Sequence, residues 1–522
     1  CALWVLHMDR PGQKVLFDEP VLASTAFTLH YERELGTTTR AYPLHGIFTV
    51  LRTYLDKRPP LYPFVVALAH DLTGWHPVNA ILVNVAATGT LLWMVWLLGR
   101  HYGGSATAGS VAVALWATFP EFGVCATGAG MDQFNLLALA AVWLAALAYA
   151  RQPVESRATL LVISALLLTY CRYESVLYIG SVALVWLVMA WRERRWLPET
   201  IWSALPLGLL LYAWHNTVLS HSPELWELRA EQTQRFSLAY APNNLTHAAK
   251  FLFVPTWAQP NAVLLSVAGI AGGIWLFSRL SRRQALIETA PRIVLAAVGL
   301  GIFANFALLM CYYWGELDDP IVTRLALPLY LLLTMLAVAG WRELGARFAP
   351  LAGWRWPGLA IGAAMLTLTV PSLALDRYSG TNLMRKNIEW ERRVMAQFWP
   401  APDLIITNRS PIVWLAEGVP SVTLDRARVR ETDVKWHLDH HSFGTVLVVQ
   451  RILTLGADGG WVVDEADSVP EGWKMTEVAV KRMGLTLIRL SLLTDLTPQP
   501  PVKQEGPPKP LPRATVSPAF SN

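Results

Sequence analysis

Charge is what this sequence has little of: 16% of its 522 residues are Asp, Glu, Lys or Arg, where a soluble enzyme carries about a quarter. An ordinary water-soluble globule of this length is thereby excluded. Cysteine is scarce as well. Cys1, Cys125, Cys171 and Cys311 are the four present, and they form neither a CxxC pair nor a metal-ligand spacing, which excludes a zinc ribbon and a disulfide framework and leaves packing as their role. No internal repeat of solenoid length occurs. The net charge of +5 is too modest to imply a nucleic-acid partner.

What the chain has in abundance is apolar length. Hydrophobic residues make up 53% of it, with 24 Trp and 15 Tyr, rings that are favoured where hydrocarbon meets headgroups. Apolar stretches of spanning length, or close to it, run at 78–99, 106–126, 132–150, 158–171, 174–191, 201–219, 261–278, 293–313, 325–340 and 357–375, about ten candidate spans. Crossing a bilayer takes ~20 apolar residues, so 158–171 and 325–340 are the weakest of these. Basic residues cluster in alternate loops: Arg100 and His101; Arg151 and Arg157; Arg192, Arg194 and Arg195; Arg279, Arg282 and Arg283; Arg342, Arg347 and Arg355. Loop Lys and Arg stay on the cytoplasmic side, which sets the intervening loops and both chain ends outside. The first residue is Cys1, and two explanations stand for it: a lipidated N-terminus, or a first transmembrane helix trimmed away as if it were a signal. The second is favoured, and it would make eleven spans.

Residues 1–77 form a first external loop carrying an acidic motif, in which LYPFVVALAHDLTG (61–74) is apolar yet too short to span and fits an interfacial helix. The helix bundle occupies 78–375. Beyond it the pattern turns soluble: DLIITN (403–408), SVTL, TVLVVQ (445–450) and LTLIRLSL (485–492) read as strands and PIVWLAEG as a short helix, predicting a small external α/β domain over 376–496. That domain holds no nucleophile elbow, P-loop or dinucleotide fingerprint. From Thr497 the tail TPQPPVKQEGPPKPLPR is proline-rich and reads as extended and disordered.

Several acids fall on the external side of this topology. Asp18 and Glu19 stand together in LFDEP, Asp56 opens DKRPPLYP, and Asp132 opens a helix in TGAGMDQFN. Each also has a plain reading: a solvated loop for the first two, and a helix cap for Asp132. Their convergence at one membrane edge favours chemistry.

The ordered set DE, KRPPLYP, an aspartate after GAGM, LLTYCRYESVLY and TRLALPLYLLLTMLAV resembles the GT-C glycosyltransferases, above all the bacterial lipid A aminoarabinose transferases and the protein O-mannosyltransferases. The resemblance runs from Asp18 to Gly340. It implies a mainly α, polytopic transmembrane bundle of GT-C type in a bacterial inner membrane, with the site and C-terminal domain periplasmic. The implied donor is a polyprenyl-phosphate sugar; the acceptor is a glycolipid, a glycan or a protein. Asp18 would activate the acceptor, Glu19 would complete an acidic pair, and Asp132 would support the acceptor or a divalent cation. Arg58 with Lys57, Arg172 and Arg324 would contact the donor phosphate. His215, His221 and His247 are the candidates for the metal-binding histidine that some relatives carry, though a lone histidine is more often an ordinary polar contact. One departure is clear, because aminoarabinose transferases commonly have an arginine shortly after DE, where this chain has Val21 and Leu22.

Elementary chemistry agrees with that implication. An acceptor hydroxyl is a weak nucleophile and benefits from a carboxylate that takes its proton, while a departing phosphate gains charge that a guanidinium stabilises with two parallel donors. Arg58 and Arg172 have plain readings too, as a snorkelling side chain and a helix-end marker. Two other functions remain open from sequence: a transporter or flippase, and a non-catalytic envelope assembly protein. The absence of repeated halves and of ionisable groups near mid-bilayer counts against the first.

Overall fold

The computed structural model describes residues 12, 18–44, 47–194, 200–210, 212–213, 217, 234–256, 261–281, 286–319, 321–351, 353–371, 379–398, 402–408, 411–415, 419–452, 454–455, 461–462, 468–483 and 486–497. Two compact units emerge, one of residues 1–39 and 50–390, the other of residues 40–49 and 391–522.

The larger unit is helical. Its elements are α1 (Asp18–Tyr31), α2 (Leu61–Thr73), α3 (Asn79–Gly103), α4 (Ala106–Trp116), α5 (Pro120–Ala126), α6 (Asp132–Arg151), α7 (Glu155–Thr169), α8 (Leu177–Arg192), α9 (Ala241–Phe253), α10 (Val263–Ser281), α11 (Thr289–Met310) and α12 (Leu327–Arg347). Short 3-10 turns, Tyr173–Val176 and Thr323–Ala326, lead into α8 and α12. Long apolar runs become helices because a helix alone satisfies its own backbone inside hydrocarbon. Polar ends then fix where each stops: the Gly104 N–H closes α3 on the Arg100 carbonyl with φ of 76°, and the Ser105 side chain accepts from the Ala108 N–H to start α4.

Among the described residues six helical segments are long and apolar enough to cross a membrane: Asn79–Gly103, Asp132–Arg151, Tyr173–Arg192, Val263–Ser281, Thr289–Met310 and Thr323–Arg347. The chain is a multi-pass membrane protein. The remaining candidates differ from straight spans for identifiable reasons. The stretch 106–126 bends by 82° between α4 and α5, at Pro120, which begins α5 and lacks the N–H needed to continue α4. The stretch 158–171 forms α7, whose 15 residues rise only about 22 Å and fall short of a ~30 Å core. Of 201–219 only part is described, helical over Thr200–Leu210, and 357–375 is a helix Arg355–Ala364 continued by a π turn, Met365–Thr369.

Inside the bundle large aromatics fill the space between helices. Phe119 stacks on Tyr330 with centroids 4.0 Å apart, and the Trp143 indole donates to the Tyr102 hydroxyl at 2.9 Å. Helix α12 is the most enclosed span and α10 the least; Ile274 and Phe277 of α10 remain exposed as surface for acyl chains. These two helices cross at glycines, since a Cβ on Gly340 would lie 2.4 Å from the Gly272 Cα. Close backbone approach replaces hydrophobic drive as the source of cohesion within a membrane.

Within the 1–77 loop, α2 covers the expected interfacial stretch. A hairpin of β1 (Thr37–Leu44) and β2 (Ile47–Tyr54) follows α1, which the loop's sequence did not announce. Its residues 40–49 belong to the smaller unit. The smaller unit's strands are β3 (Leu404–Thr407), β4 (Ser421–Thr423), β5 (Val446–Ile452), a short pair β6 (Thr454–Leu455) and β7 (Trp461–Val462), β8 (Trp473–Met483) and β9 (Thr486–Leu496). The main sheet has the order β2-β1-β4-β3-β5-β9-β8, with β3 parallel to β4 and β5 and β9 antiparallel to β5 and β8. Leu404–Thr407 and Val446–Ile452 are buried along their whole length, as strands in the middle of a sheet covered on both faces are. Beneath it Arg451 and Glu391 form a buried two-pronged ion pair, both bonds at 3.0 Å. The tail beyond Thr497 lies outside the described residues.

Candidate active site

Five sequence-distant segments of the larger unit meet at one rim of the bundle, and each brings a charged side chain at or just before a helix start. Asp18 opens α1, Asp56 and Arg58 precede Pro59 and Pro60 at the head of α2, and Asp132 opens α6. Arg172 stands immediately before the turn into α8, and Arg324 sits in the turn into α12. Helix N-termini present unpaired N–H groups and partial positive charge, so the rim attracts anions, and its arginines sit where only neighbouring carboxylates make them tolerable.

Those carboxylates are interleaved with them. Arg58 holds Asp18 through Nε at 3.1 Å and also through Nη2, while its Nη1 reaches both oxygens of Asp56 at 2.8 and 2.9 Å. Asp18 gives its second oxygen to Arg324 Nη2. Arg324 in turn donates from Nη1 to Asp132 Oδ2 at 2.9 Å and from Nε to the Ile321 carbonyl at 3.0 Å. The other oxygen of Asp132 takes Arg172 Nη1, and Arg172 Nε meets Glu174 Oε1. Three guanidiniums thus alternate with four carboxylates, counting Asp56 and Glu174.

Asp132 is therefore not a cap. Met131 holds the N-cap position with no side-chain bond, and both oxygens of Asp132 are committed to arginines. Glu19, beside Asp18 in the chain, takes a different contact. It is buried and faces the Gly128–Met131 loop, where its Oε1 accepts from the Ala129 N–H at 3.1 Å. Asn84 donates to the Gly128 and Gly130 carbonyls at 2.9 and 2.8 Å, and the Tyr62 hydroxyl donates to the Ala129 carbonyl at 2.9 Å. Together they fix the loop that delivers Asp132. Asp18 and Asp132 are joined through Arg324, which bonds both.

Electrostatics follow the geometry. Burial alone would raise the Asp18 carboxyl, but attraction to Arg324 and Arg58 outweighs it and holds the group well below the usual carboxylate range. Burial opposes the charge of Arg58, and Asp18 and Asp56 more than restore it; for Arg172, Glu174 and Asp132 do the same. All three groups stay ionised throughout the physiological range.

A cavity of about 60 Å³ opens beside this network, room for several waters or a phosphate group at the ~10–15 Å³ that one water requires on this measure. Asp132, Arg172, Glu174 and Arg324 line it together with Leu136, Leu308, Leu309, Leu325 and Pro328. Charged and apolar side chains thus share the lining of one cavity.

Of the residues expected from sequence, Asp18, Arg58, Asp132, Arg172 and Arg324 come together, and half-buried Lys57 adjoins Arg58 in the chain. His215 and His221 lie outside the described residues. His247 pairs with Asp318, its Nδ1 at 2.6 and 2.8 Å from the two oxygens, and no group of three or more metal-ligating side chains occurs among the described residues. Glu174 was missed, although CRYE places a carboxylate two positions from a guanidinium it can reach. The clamp of Asp56 on Arg58 was missed too; its signal was the DxR spacing ahead of paired prolines.

Comparison with known proteins bears on the fold. The family model for dolichyl-phosphate-mannose-protein mannosyltransferase matches residues 57–217, a stretch holding Lys57, Arg58, Asp132 and Arg172. The crystal structure of ArnT from Cupriavidus metallidurans bound to undecaprenyl phosphate is similar at a TM-score of 0.54 and 14% identity, over 95% of this chain and 98% of that one. Its apo state gives a TM-score of 0.52 at the same identity and coverage. No curated protein matches the chain at the sequence level. The fold is that of the GT-C glycosyltransferases, as the resemblance in the sequence implied.

Proposed function

We propose that this membrane protein transfers a monosaccharide from a polyprenyl-phosphate donor to an acceptor at the periplasmic face of a bacterial inner membrane. The observation that carries the reading is a cavity whose lining divides between the guanidiniums of Arg172 and Arg324 and apolar side chains such as Leu308, Leu309 and Pro328. An isoprenoid phosphate has that same division, a tail that belongs in hydrocarbon and a headgroup that needs fixed donors.

In the transfer, the acceptor oxygen attacks the anomeric carbon and its proton passes to Asp18. The bond between that carbon and the phosphate oxygen breaks, its electron pair leaves with the polyprenyl phosphate, and the guanidiniums stabilise the added charge. Asp18 clamped by two arginines is a poor base, because its charge is already neutralised. A phosphate that draws Arg324 toward the cavity loosens that clamp, so donor binding raises the proton affinity of Asp18 when a proton must be taken. Asp132, which shares Arg324 with Asp18, orients the acceptor or would hold a divalent cation. The acceptor, whether glycolipid, glycan or protein hydroxyl, enters from the aqueous side.

The test is incubation of purified protein with a panel of polyprenyl-phosphate sugars, following release of polyprenyl phosphate, beside Asp18→Asn. Release from one donor, lost in the variant, is the expected result. Silence with every donor defeats the transferase reading, and equal turnover in the variant removes Asp18 as the base.

A further inference from the structure

One buried polar atom of the cavity is not accounted for by the ion network. Glu174 uses Oε1 to receive Arg172 Nε, but its Oε2 is buried with no hydrogen-bond partner among the described residues. A buried carboxylate oxygen left without a donor is costly, and where such an atom lines a cavity a group that enters the cavity can supply the missing donor. Glu174 also lines the cavity, alongside Arg172 and Arg324. Arg172 fixes the geometry further: a group on its guanidinium lies next to Glu174, because the two side chains are already bonded.

We propose that Glu174 Oε2 accepts a hydrogen bond from the sugar of the donor, making Glu174 a specificity-determining residue for the reaction proposed above. The reasoning rests on that donor class and adds which part of it is read. A phosphate held by Arg172 and Arg324 carries the sugar one oxygen away, which brings a ring hydroxyl or amine within reach of the neighbouring carboxylate. A sugar supplies what the rest of the lipid lacks, a hydrogen-bond donor. The polyprenyl phosphate left after transfer offers none there, so the contact distinguishes donor from product and helps the spent lipid leave.

Glu174→Gln isolates this contact, since the amide keeps an oxygen for Arg172 and replaces the acceptor with a donor of the same size. Binding is compared in detergent for undecaprenyl phosphate and for undecaprenyl-phosphoryl glucose, mannose and arabinose, with turnover followed in the same preparations. The wild-type protein is expected to bind at least one sugar-bearing lipid more tightly than undecaprenyl phosphate. In Glu174→Gln that advantage is expected to shrink about tenfold to a hundredfold, with affinity for undecaprenyl phosphate unchanged. Equal weakening of all lipids would show that Glu174 acts only by orienting Arg172 and would overturn the proposal. So would a variant that binds every lipid as the wild type does, or a wild type with no preference for sugar-bearing lipids. A sugar-dependent affinity without turnover of any donor would sink the transferase reading while leaving the Glu174 contact standing.

Discussion

Arg324 Nη1 donates to Asp132 Oδ2 at 2.9 Å across 192 residues of chain, and the same guanidinium reaches Asp18 with its other nitrogen. One side chain therefore couples both acids of the site, and a ligand that moves it changes both at once.

Replacement of Arg324 tests that coupling. Arg324→Lys keeps the charge but cannot present two parallel donors to two carboxylates, so kcat/KM for the donor is expected to fall by about a hundredfold or more, with Arg324→Gln lower still. Removing one partner from a buried pair costs ~3–5 kcal/mol, so thermal melting of Arg324→Gln is measured beside turnover. Full activity in Arg324→Lys would show that charge alone suffices.

Glu19 and Asp18 are expected to part company despite being neighbours. Glu19→Gln keeps the acceptor for the Ala129 N–H and should leave turnover within a few-fold of wild type. Glu19→Ala strands that N–H and lowers stability by about 1–3 kcal/mol, read from denaturation midpoints. A loss in Glu19→Gln as deep as that in Asp18→Asn would return Glu19 to the chemistry.

Asp18 carries a pH prediction whose sign is set by its arginines. Its carboxyl is depressed in the folded state, so its stabilising contribution is present above about pH 3.9, the unfolded value, and is lost only as pH falls through the lower folded value. The difference in melting temperature between wild type and Asp18→Asn is therefore expected to be flat from pH 8 to pH 5. A difference that vanishes between pH 6 and 5 would mean the clamp does not form.

His70 behaves differently. Burial, then the neighbouring His30, lower it to about 4, and Asn79 Nδ2 lies 2.8 Å from its Nδ1. A histidine depressed in this way adds its full stability above its unfolded value of about 6.5 and loses it progressively as pH drops toward 4. Melting temperature is expected to fall across that window in the wild type and to fall less in His70→Gln. Parallel curves would assign the acid sensitivity elsewhere.

Gly340→Leu puts a side chain where the Gly272 backbone stands. The α10–α12 crossing is expected to open, with a clear drop in melting temperature and in yield of monodisperse protein, whereas Gly358→Ala, which has open space around it, changes little.

How legible the molecule was depended on the kind of signal each element carries. Spans such as Thr289–Met310 declare themselves because a long apolar run has one solution in a bilayer. Leu404–Thr407 and Val446–Ile452 do so because the short apolar runs LII and VLVV that begin them, bounded by turn signals, fit a buried strand. The strand Trp473–Met483 went unread: its edge position admits Lys474, Glu477, Lys481 and Arg482, so its composition resembles a loop. The break at Pro120 was visible as a residue yet hidden by the apolar run around it.

The sequence by itself determined that this chain lives in a membrane and that Asp132 stands at a helix start, since hydropathy and motif order are local properties. Which carboxylate meets which guanidinium was decided only by tertiary structure. Glu19 and Asp18 are adjacent in the chain but face different partners, Ala129 and the arginines, because successive residues of a helix point about 100° apart. Asp132 and Arg324 meet only because two helices bring their N-termini to the same rim.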